Sequence, residues 1–447
     1  MTDMTTRHRP LVARLPHPVR RAIMTPGTIA FAASARVRAH PFPLYRAFLA
    51  LDPVHDNPLG IWLVGRHADV SQLLRSPVMS NVEGNADPAS LELKGVAGAA
   101  MRAVFGRRGN EDQDDKMRQP RVFELLERTM LFRDPPDHTR LRSLVNKAFT
   151  PRRAEALVPA VTSVLDELLE PVLRGHRMEL MSRLAYPLPA RIICELLGVP
   201  TEDQNYIVER APALAVALDP EPMRSAEGVR AAEQAAEDLG GYLTGLIEQR
   251  RHDPGDDLLS ALLAAEEQGD RLTPEELLAT TLLLLVAGHE TTANLIGNGI
   301  LALLRHPAEL ARLRDDPALD RNAVEELMRY DGPIHITQRV TTESVELAGA
   351  TIPKGRIVIL CLAAANRDPA VFQHPHRLDV ARPQPSHVGF GGGIHFCLGA
   401  ALARVEARIV IPGLLRRLPG LRLAGPRPTW RPSFTIRGLS ALHLAWD

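Results

Sequence analysis

The 447-residue chain carries 53 basic and 53 acidic side chains, so it has no net charge with histidine neutral. That balance, with 45% hydrophobic residues, excludes a disordered or fibrous chain and offers no global field for nucleic acid or an anionic membrane. Three cysteines cannot build a disulfide framework and leave at least one thiol unpaired within the chain, which points to a reducing, cytoplasmic setting. Length alone is a soft prior for about three domains of ~150 residues.

In chain order, the first 38 residues set seven arginines against Asp3 and read as a basic, loosely ordered arm. Arg20-Arg21 does not open an export signal, because Pro26-Gly27 interrupts the apolar residues that follow. A short helix is expected at Leu44 to Leu51, then a hairpin that turns at Pro58-Leu59-Gly60 into Ile61-Trp62-Leu63-Val64. Residues 81 to 120 are polar and glycine-rich and read as a long mobile loop or lid. Helical periodicity fills Asp137 to Arg251, with breaks at Thr150-Pro151, Gly175, Gly198-Val199-Pro200 and Leu218 to Pro222. A long helix starts at Thr273, where Thr-Pro-Glu-Glu supplies a capping box, and stops near Arg305 before His306-Pro307. Its apolar run, Leu277 to Gly288, is too short to span a bilayer and continues into His289, Glu290, Thr291 and Thr292.

After a helix ending near Tyr330, strands are expected at His335 to Val340, Ser344 to Leu347 and Ile357 to Leu360, with turns at Ala348-Gly349 and Pro353-Lys354-Gly355. A last helix, Leu398 to Leu415, puts Leu402, Val405, Ile409 and Leu414 on one face, and Phe434 to Leu444 reads as a closing hairpin. The fold class is mainly α (α+β), a large helical body with a minor β-rich region.

Chemistry concentrates in Phe390-Gly391-Gly392-Gly393-Ile394-His395-Phe396-Cys397-Leu398-Gly399, a glycine-rich loop that delivers one cysteine to the start of a helix. Free N–H groups and the helix dipole there favour an anionic sulfur, so a lowered thiol pKa is expected. Gly391 and Gly393 permit tight turns, and Gly399 lets a planar group approach the backbone. A thiolate held this way suits axial ligation of haem iron. Cys194 and Cys361, set among apolar neighbours, read as core residues.

Phe390, Gly391, Gly393, His395, Cys397 and Gly399 match every fixed position of the signature of the cytochrome P450 family, and the chain resembles that family from about residue 40 to its end. The resemblance implies one catalytic domain, 39–447, after the arm 1–38, and haem b (iron protoporphyrin IX) with Cys397 as its axial ligand. Ala287-Gly288-His289-Glu290-Thr291-Thr292 stands where the family binds dioxygen. A threonine in a helix can bond back to the carbonyl four residues earlier, here Ala287, and Gly288 weakens the helix, so a kink or widened turn is expected. The resemblance gives Thr291 the hydroxyl that donates to the oxygen site and Glu290 the acid of a water-relayed proton path.

Glu326 and Arg329, at i and i+3, share a helix face; the resemblance makes them a buried structural ion pair completed by Arg382. Leu378 departs from the aromatic often found nearby, which touches packing more than chemistry. His138 and Arg142, at i and i+4, with Arg339 and His395, form the set that the resemblance assigns to the haem carboxylates. Trp62, Met79, Val82, the stretch Gly95 to Phe105, Ala287, Ile334 and the final hairpin are candidates to approach substrate, with core packing the competing role.

The expected activity is a monooxygenase that inserts one atom of O₂ into a hydrophobic small molecule. Its electrons would come from a ferredoxin or flavodoxin with an NAD(P)H reductase, docked at a basic face with Lys147, Arg404 and Arg408. A monomer in the cytoplasm is expected, without nucleic-acid partners or a membrane span. Two alternatives stay open: a peroxide-using haem-thiolate peroxygenase, which often lacks the acid–alcohol pair found here, and a non-enzymatic haem sensor or carrier.

Overall fold

The computed structural model describes residues 17–57, 60–87, 120–219, 224–265, 269–383 and 386–447. The turn at 58–59, the stretch Gly95 to Phe105, most of the expected lid and the first 16 residues lie outside them. The described residues fall into two compact units. The first draws on the segments up to residue 87, His335–His376 and Gly391–Gly393; the second on those from residue 120 to Ile334, Arg377–Phe390 and Ile394–Asp447.

The first unit is built on a five-stranded sheet in the order Val54–Asp56, Trp62–Val64, Ile357–Leu360, Thr337–Thr341, Met79–Ser80. Its neighbours pair antiparallel except Trp62–Val64 with Ile357–Leu360, which run parallel. Part of the basic arm that the sequence suggests is loosely ordered is helical here, over His17–Ala33 and Ala35–Ala39. The reason is anchoring: Met24 is buried against the cluster around Tyr45 and Phe48, Arg20 donates to the Leu51 carbonyl, and Arg21 pairs with Asp56 at 3.0 Å.

The second unit is helical. Pro274–Leu304 runs through it, capped by the expected box in which Thr273 and Glu276 exchange side-chain-to-backbone bonds. Around it pack Pro187–Leu196, Gln204–Leu214, Ala226–His252, Asp320–Asp331 and Ala400–Arg417. A helix apolar on nearly every face is stable where it is enclosed, and 24 of its 31 residues are buried, with Ala287, Gly288 and Thr291 among the exceptions. It remains α-helical through Gly288 to Thr292, so the expected widened turn is absent: the Thr291 hydroxyl bonds the Ala287 carbonyl at 2.6 Å without displacing the helical ladder. A π-helical segment occurs instead at Met181–Ala185, where Gly297 permits close packing; a Cβ at 297 would sit 2.6 Å from the Met181 sulfur.

The tail also departs from expectation. Thr429–Trp430 pairs with Leu439–Ala441, and His443–Ala445 pairs with Arg177–Glu179 and Arg422–Leu423, so Phe434 to Leu444 is not one hairpin. Residues 433–435 are instead drawn into a turn by Asp219. Among the described residues no helix is long and apolar enough to cross a membrane.

Candidate active site

Within the second unit the cysteine segment is closed by a bond from the Cys397 N–H to the Phe390 carbonyl at 2.9 Å, and the helix Ala400–Arg417 starts three residues later with Gly399 at its cap. Gly391 and Gly393 belong to the first unit, and both have positive φ. At Gly393 a Cβ would also strike the Leu74 carbonyl, so conformation and space both demand glycine. At Gly399, by contrast, φ is negative and a Cβ would meet nothing within 4 Å among the described residues, so neither conformation nor those neighbours ask for glycine there.

The thiol does not have the lowered pKa expected from its place at a helix start. Cys397 has accessible surface, yet desolvation by the surrounding protein pushes it up, and the Gly399 and Ala400 N–H groups, Arg142 and Arg404 only partly offset this. The donors and cations that favour a thiolate are in place; a metal ligated by this thiol would deprotonate it. Cys194 and Cys361 are buried, as expected, and burial pushes both thiols up to about 12.

The helix Asp137–Ala148 brings its two candidates to the same place. Arg142 donates to the Phe396 carbonyl at 2.6 Å, and the His138 ring lies 4.3 Å from that of His395. His138 is buried, and among the described residues neither ring nitrogen makes a hydrogen bond of ordinary geometry; burial, then the Arg142 charge, lower its pKa. Ile394 and Phe396, beside the thiol, are large apolar side chains half exposed to solvent. A planar apolar group with carboxylate arms fits this set: a thiol at a helix opening, apolar side chains beside it, space at Gly399, and an underused buried imidazole next to an arginine. Arg339 belongs to the first unit, where it is buried in the Thr337–Thr341 strand and donates to Thr337 Oγ1 and the Gln338 carbonyl at 2.9 and 2.7 Å.

On the long helix, Glu290 is buried, and its Oε1 accepts from Asn294 Nδ2 at 3.0 Å and from Arg431. Oε2 has no hydrogen-bond partner among the described residues. Arg431 also donates to the Tyr186 hydroxyl at 3.0 Å. Burial, then Glu290, push that phenol up to about 12, so it stays protonated. His289 is held neutral, pushed down to about 4 by burial and then by Arg431. Thr292 bonds Glu406 of the cysteine helix, whose carboxyl burial raises to about 8.

Sequence reasoning missed Arg431, Tyr186 and Glu406. Nothing local connects Arg431 to a residue 141 positions away. Glu406 did leave a signal: it is an acid on the face that carries Leu402 and Val405.

The Glu326–Arg329–Arg382 group assembles as expected. Arg329 grips Glu326 through two bonds of 2.7 and 2.9 Å, Arg382 adds one of 3.0 Å, and both arginines donate to the Arg377 carbonyl. Leu378 is fully buried. The expected docking face is less free than its sequence implies, since Arg404 is held by Glu325 and Arg408 by Glu155.

The family model for cytochrome P450 matches residues 216–419. The chain is 42% identical over 411 residues to cytochrome P450 107B1 of Saccharopolyspora erythraea, covering 91% of this chain and 93% of that one. It is 41% identical over 412 residues to a vitamin D(3) 25-hydroxylase of Pseudonocardia autotrophica, at 90% and 93% coverage. The crystal structure of P450BioI in complex with an acyl carrier protein ligated by hexadec-9Z-enoic acid superposes with a TM-score of 0.80 at 35% identity, covering 93% of this chain and all of that one.

Proposed function

The chain belongs to the cytochrome P450 family and is a haem b-dependent monooxygenase, and from that premise we propose that Cys397 is the axial thiolate and that Glu290 and Thr291 serve proton delivery. The observation that carries this reading is the Phe390-to-Gly399 loop, which offers one accessible thiol at a helix opening beside the buried His138–Arg142 pair. When bound, the haem supplies dioxygen activation and insertion of one oxygen atom into a hydrophobic substrate, with electrons from a separate redox partner.

His138, Arg142, Arg339 and His395 would hold the haem carboxylates, the arginines by charge-assisted hydrogen bonds. Ala287 and Gly288 would lie along the haem, while Phe390, Gly391 and Gly399 shape the cysteine loop. The Thr291 proton is committed to the Ala287 carbonyl at rest, so its oxygen accepts a hydrogen bond until the hydroxyl leaves that carbonyl to donate. Glu290 has one bound oxygen and one unbonded, and the unbonded Oε2 is the one able to take a proton from water and pass it on.

The finer partners belong to the same proposal: a ferredoxin or flavodoxin with its NAD(P)H reductase, docking at the Cys397-helix face, and a cytoplasmic monomer covering 39–447 as one catalytic domain. Three unpaired cysteines suit a reducing compartment. The decisive test is the reduced, carbon monoxide-treated protein, which should show the red-shifted Soret band of a thiolate-ligated haem. Cys397→Ser should abolish that band, and its survival in the variant would end the assignment.

A further inference from the structure

Three chain segments converge on Glu290: its own helix, the residue that follows the π-helical segment, and the stretch after Thr429–Trp430. A buried carboxylate is tolerated only when charge and hydrogen bonds compensate it, and here Arg431 and Asn294 do so on a single oxygen. Arg431 is itself constrained on both sides. Its guanidinium donates to the Tyr186 hydroxyl, which reaches the Leu439 carbonyl at 3.3 Å, and its backbone N–H donates to the Gly438 carbonyl at 2.9 Å.

The turn that follows Arg431 is fixed from elsewhere. Asp219 Oδ1 accepts from Ser433 Oγ at 2.9 Å, from the Phe434 N–H at 3.1 Å and from the Thr435 N–H at 2.9 Å. Thr435 Oγ1 returns a bond to the Leu218 carbonyl, and Arg224 Nε donates to the Asp219 carbonyl. Asp219 ends the helical run Gln204–Leu214 and Ala215–Leu218. One five-residue stretch therefore bonds both to the end of that run and to the acid in the long helix.

We propose that Arg431 is a positioning residue for Glu290, and that Asp219 seats it through the 433–435 turn, so that the end of the Gln204–Leu218 run governs the orientation of the acid and its pairing with a cation. This rests on the reading of Glu290 as the proton-relay acid. With Arg431 in place, Oε1 is pinned by Arg431 and Asn294, and Oε2 has no hydrogen-bond partner among the described residues. With the turn released, the buried carboxylate loses the cation that compensates it, and burial alone then disfavours the charged form. The other titratable groups around it do not replace that cation: His289 is neutral, Tyr186 is a protonated phenol, and Glu179, near Tyr186, is anionic.

The test uses the full-length haem-loaded enzyme carrying Arg431→Gln, Arg431→Lys, Asp219→Ala, Glu290→Gln and the Glu290→Gln/Arg431→Gln pair. Each is first checked for the red-shifted carbon monoxide band, which reports an intact haem site. Infrared difference spectra at neutral pH then read the carboxyl directly. Arg431→Gln should gain a protonated-carboxyl band that is missing from the double variant, which separates it from Glu406. Arg431→Lys should largely suppress the band. Asp219→Ala, which removes no group bonded to Glu290, should show it in part. NADPH consumption with a surrogate ferredoxin and its reductase should fall about tenfold in Arg431→Gln, and the double variant should be no slower than Glu290→Gln.

An unchanged carboxyl in Arg431→Gln overturns the positioning role, and an unchanged carboxyl in Asp219→Ala overturns the seating by the turn. If Glu290→Gln consumes NADPH as fast as the unaltered enzyme while the Arg431→Gln band still appears, the relay reading of Glu290 has failed and the control of its charge by Arg431 has not.

Discussion

Glu406 stands on the buried face of the cysteine helix with Thr292 as its hydrogen-bond partner, and burial lifts its carboxyl to about 8 from an ordinary 4.5. The folded chain therefore holds this proton more tightly than the unfolded chain does. Its contribution to stability is fully present below about 4.5 and is lost as pH rises through about 8. Glu406→Gln keeps the shape and a hydrogen-bonding group but cannot ionise. Thermal unfolding should show the parent protein losing stability relative to this variant across that interval; a difference that stays constant with pH would refute the buried, protonated assignment. Cys397 makes the complementary point about legibility. Its place in the loop could be read from sequence, because the motif is contiguous, but its raised thiol could not, because desolvation depends on residues such as those around Arg142 that lie far away in the chain.

At the scale of elements, Gly438 decides how closely the terminal strands approach the long helix. A Cβ at this position would collide with the Asn294 side-chain amide, and the Gly438 carbonyl also holds the Arg431 N–H. Gly438→Ala should push the strand pair outward and cost about 1–3 kcal/mol, measurable as a lower midpoint in chemical denaturation. An unchanged midpoint would mean that the strands are free to shift. The two ends of the long helix were legible to the residue because their signals are local: a capping box at Thr273 and a proline just past Arg305. The π-helical segment at Met181–Ala185 and the pairing of His443–Ala445 with Arg177–Glu179 were not, since each is set by partners more than a hundred residues away. The same holds for the Asp219 bonds that turn residues 433–435 away from a simple hairpin.

For the whole molecule, zero net charge means that any steering of an electron donor must come from a local field rather than a global one. The cysteine-helix face carries such charges, but they are not equivalent. Arg404 is bonded to Glu325, which also bonds His387, and its guanidinium lies 4.3 Å from the Phe390 ring centroid, so it is committed to the fold. Against burial, which raises it, His387 and Arg404 hold Glu325 down to about 2, the mark of a tightly compensated acid. Lys147 is exposed, and Arg408 reaches an exposed Glu155, whose pairing is weak in water. Charge reversal should therefore separate the two kinds of residue. Lys147→Glu with Arg408→Glu should slow reduction by an acidic ferredoxin roughly tenfold at low salt and flatten its salt dependence, leaving stability nearly intact. Arg404→Glu should instead lower stability, because it sets two carboxylates against each other beside His387. Stopped-flow reduction across ionic strength, paired with thermal unfolding, reads both effects. A salt slope that the double reversal leaves unchanged would move the donor site off this face.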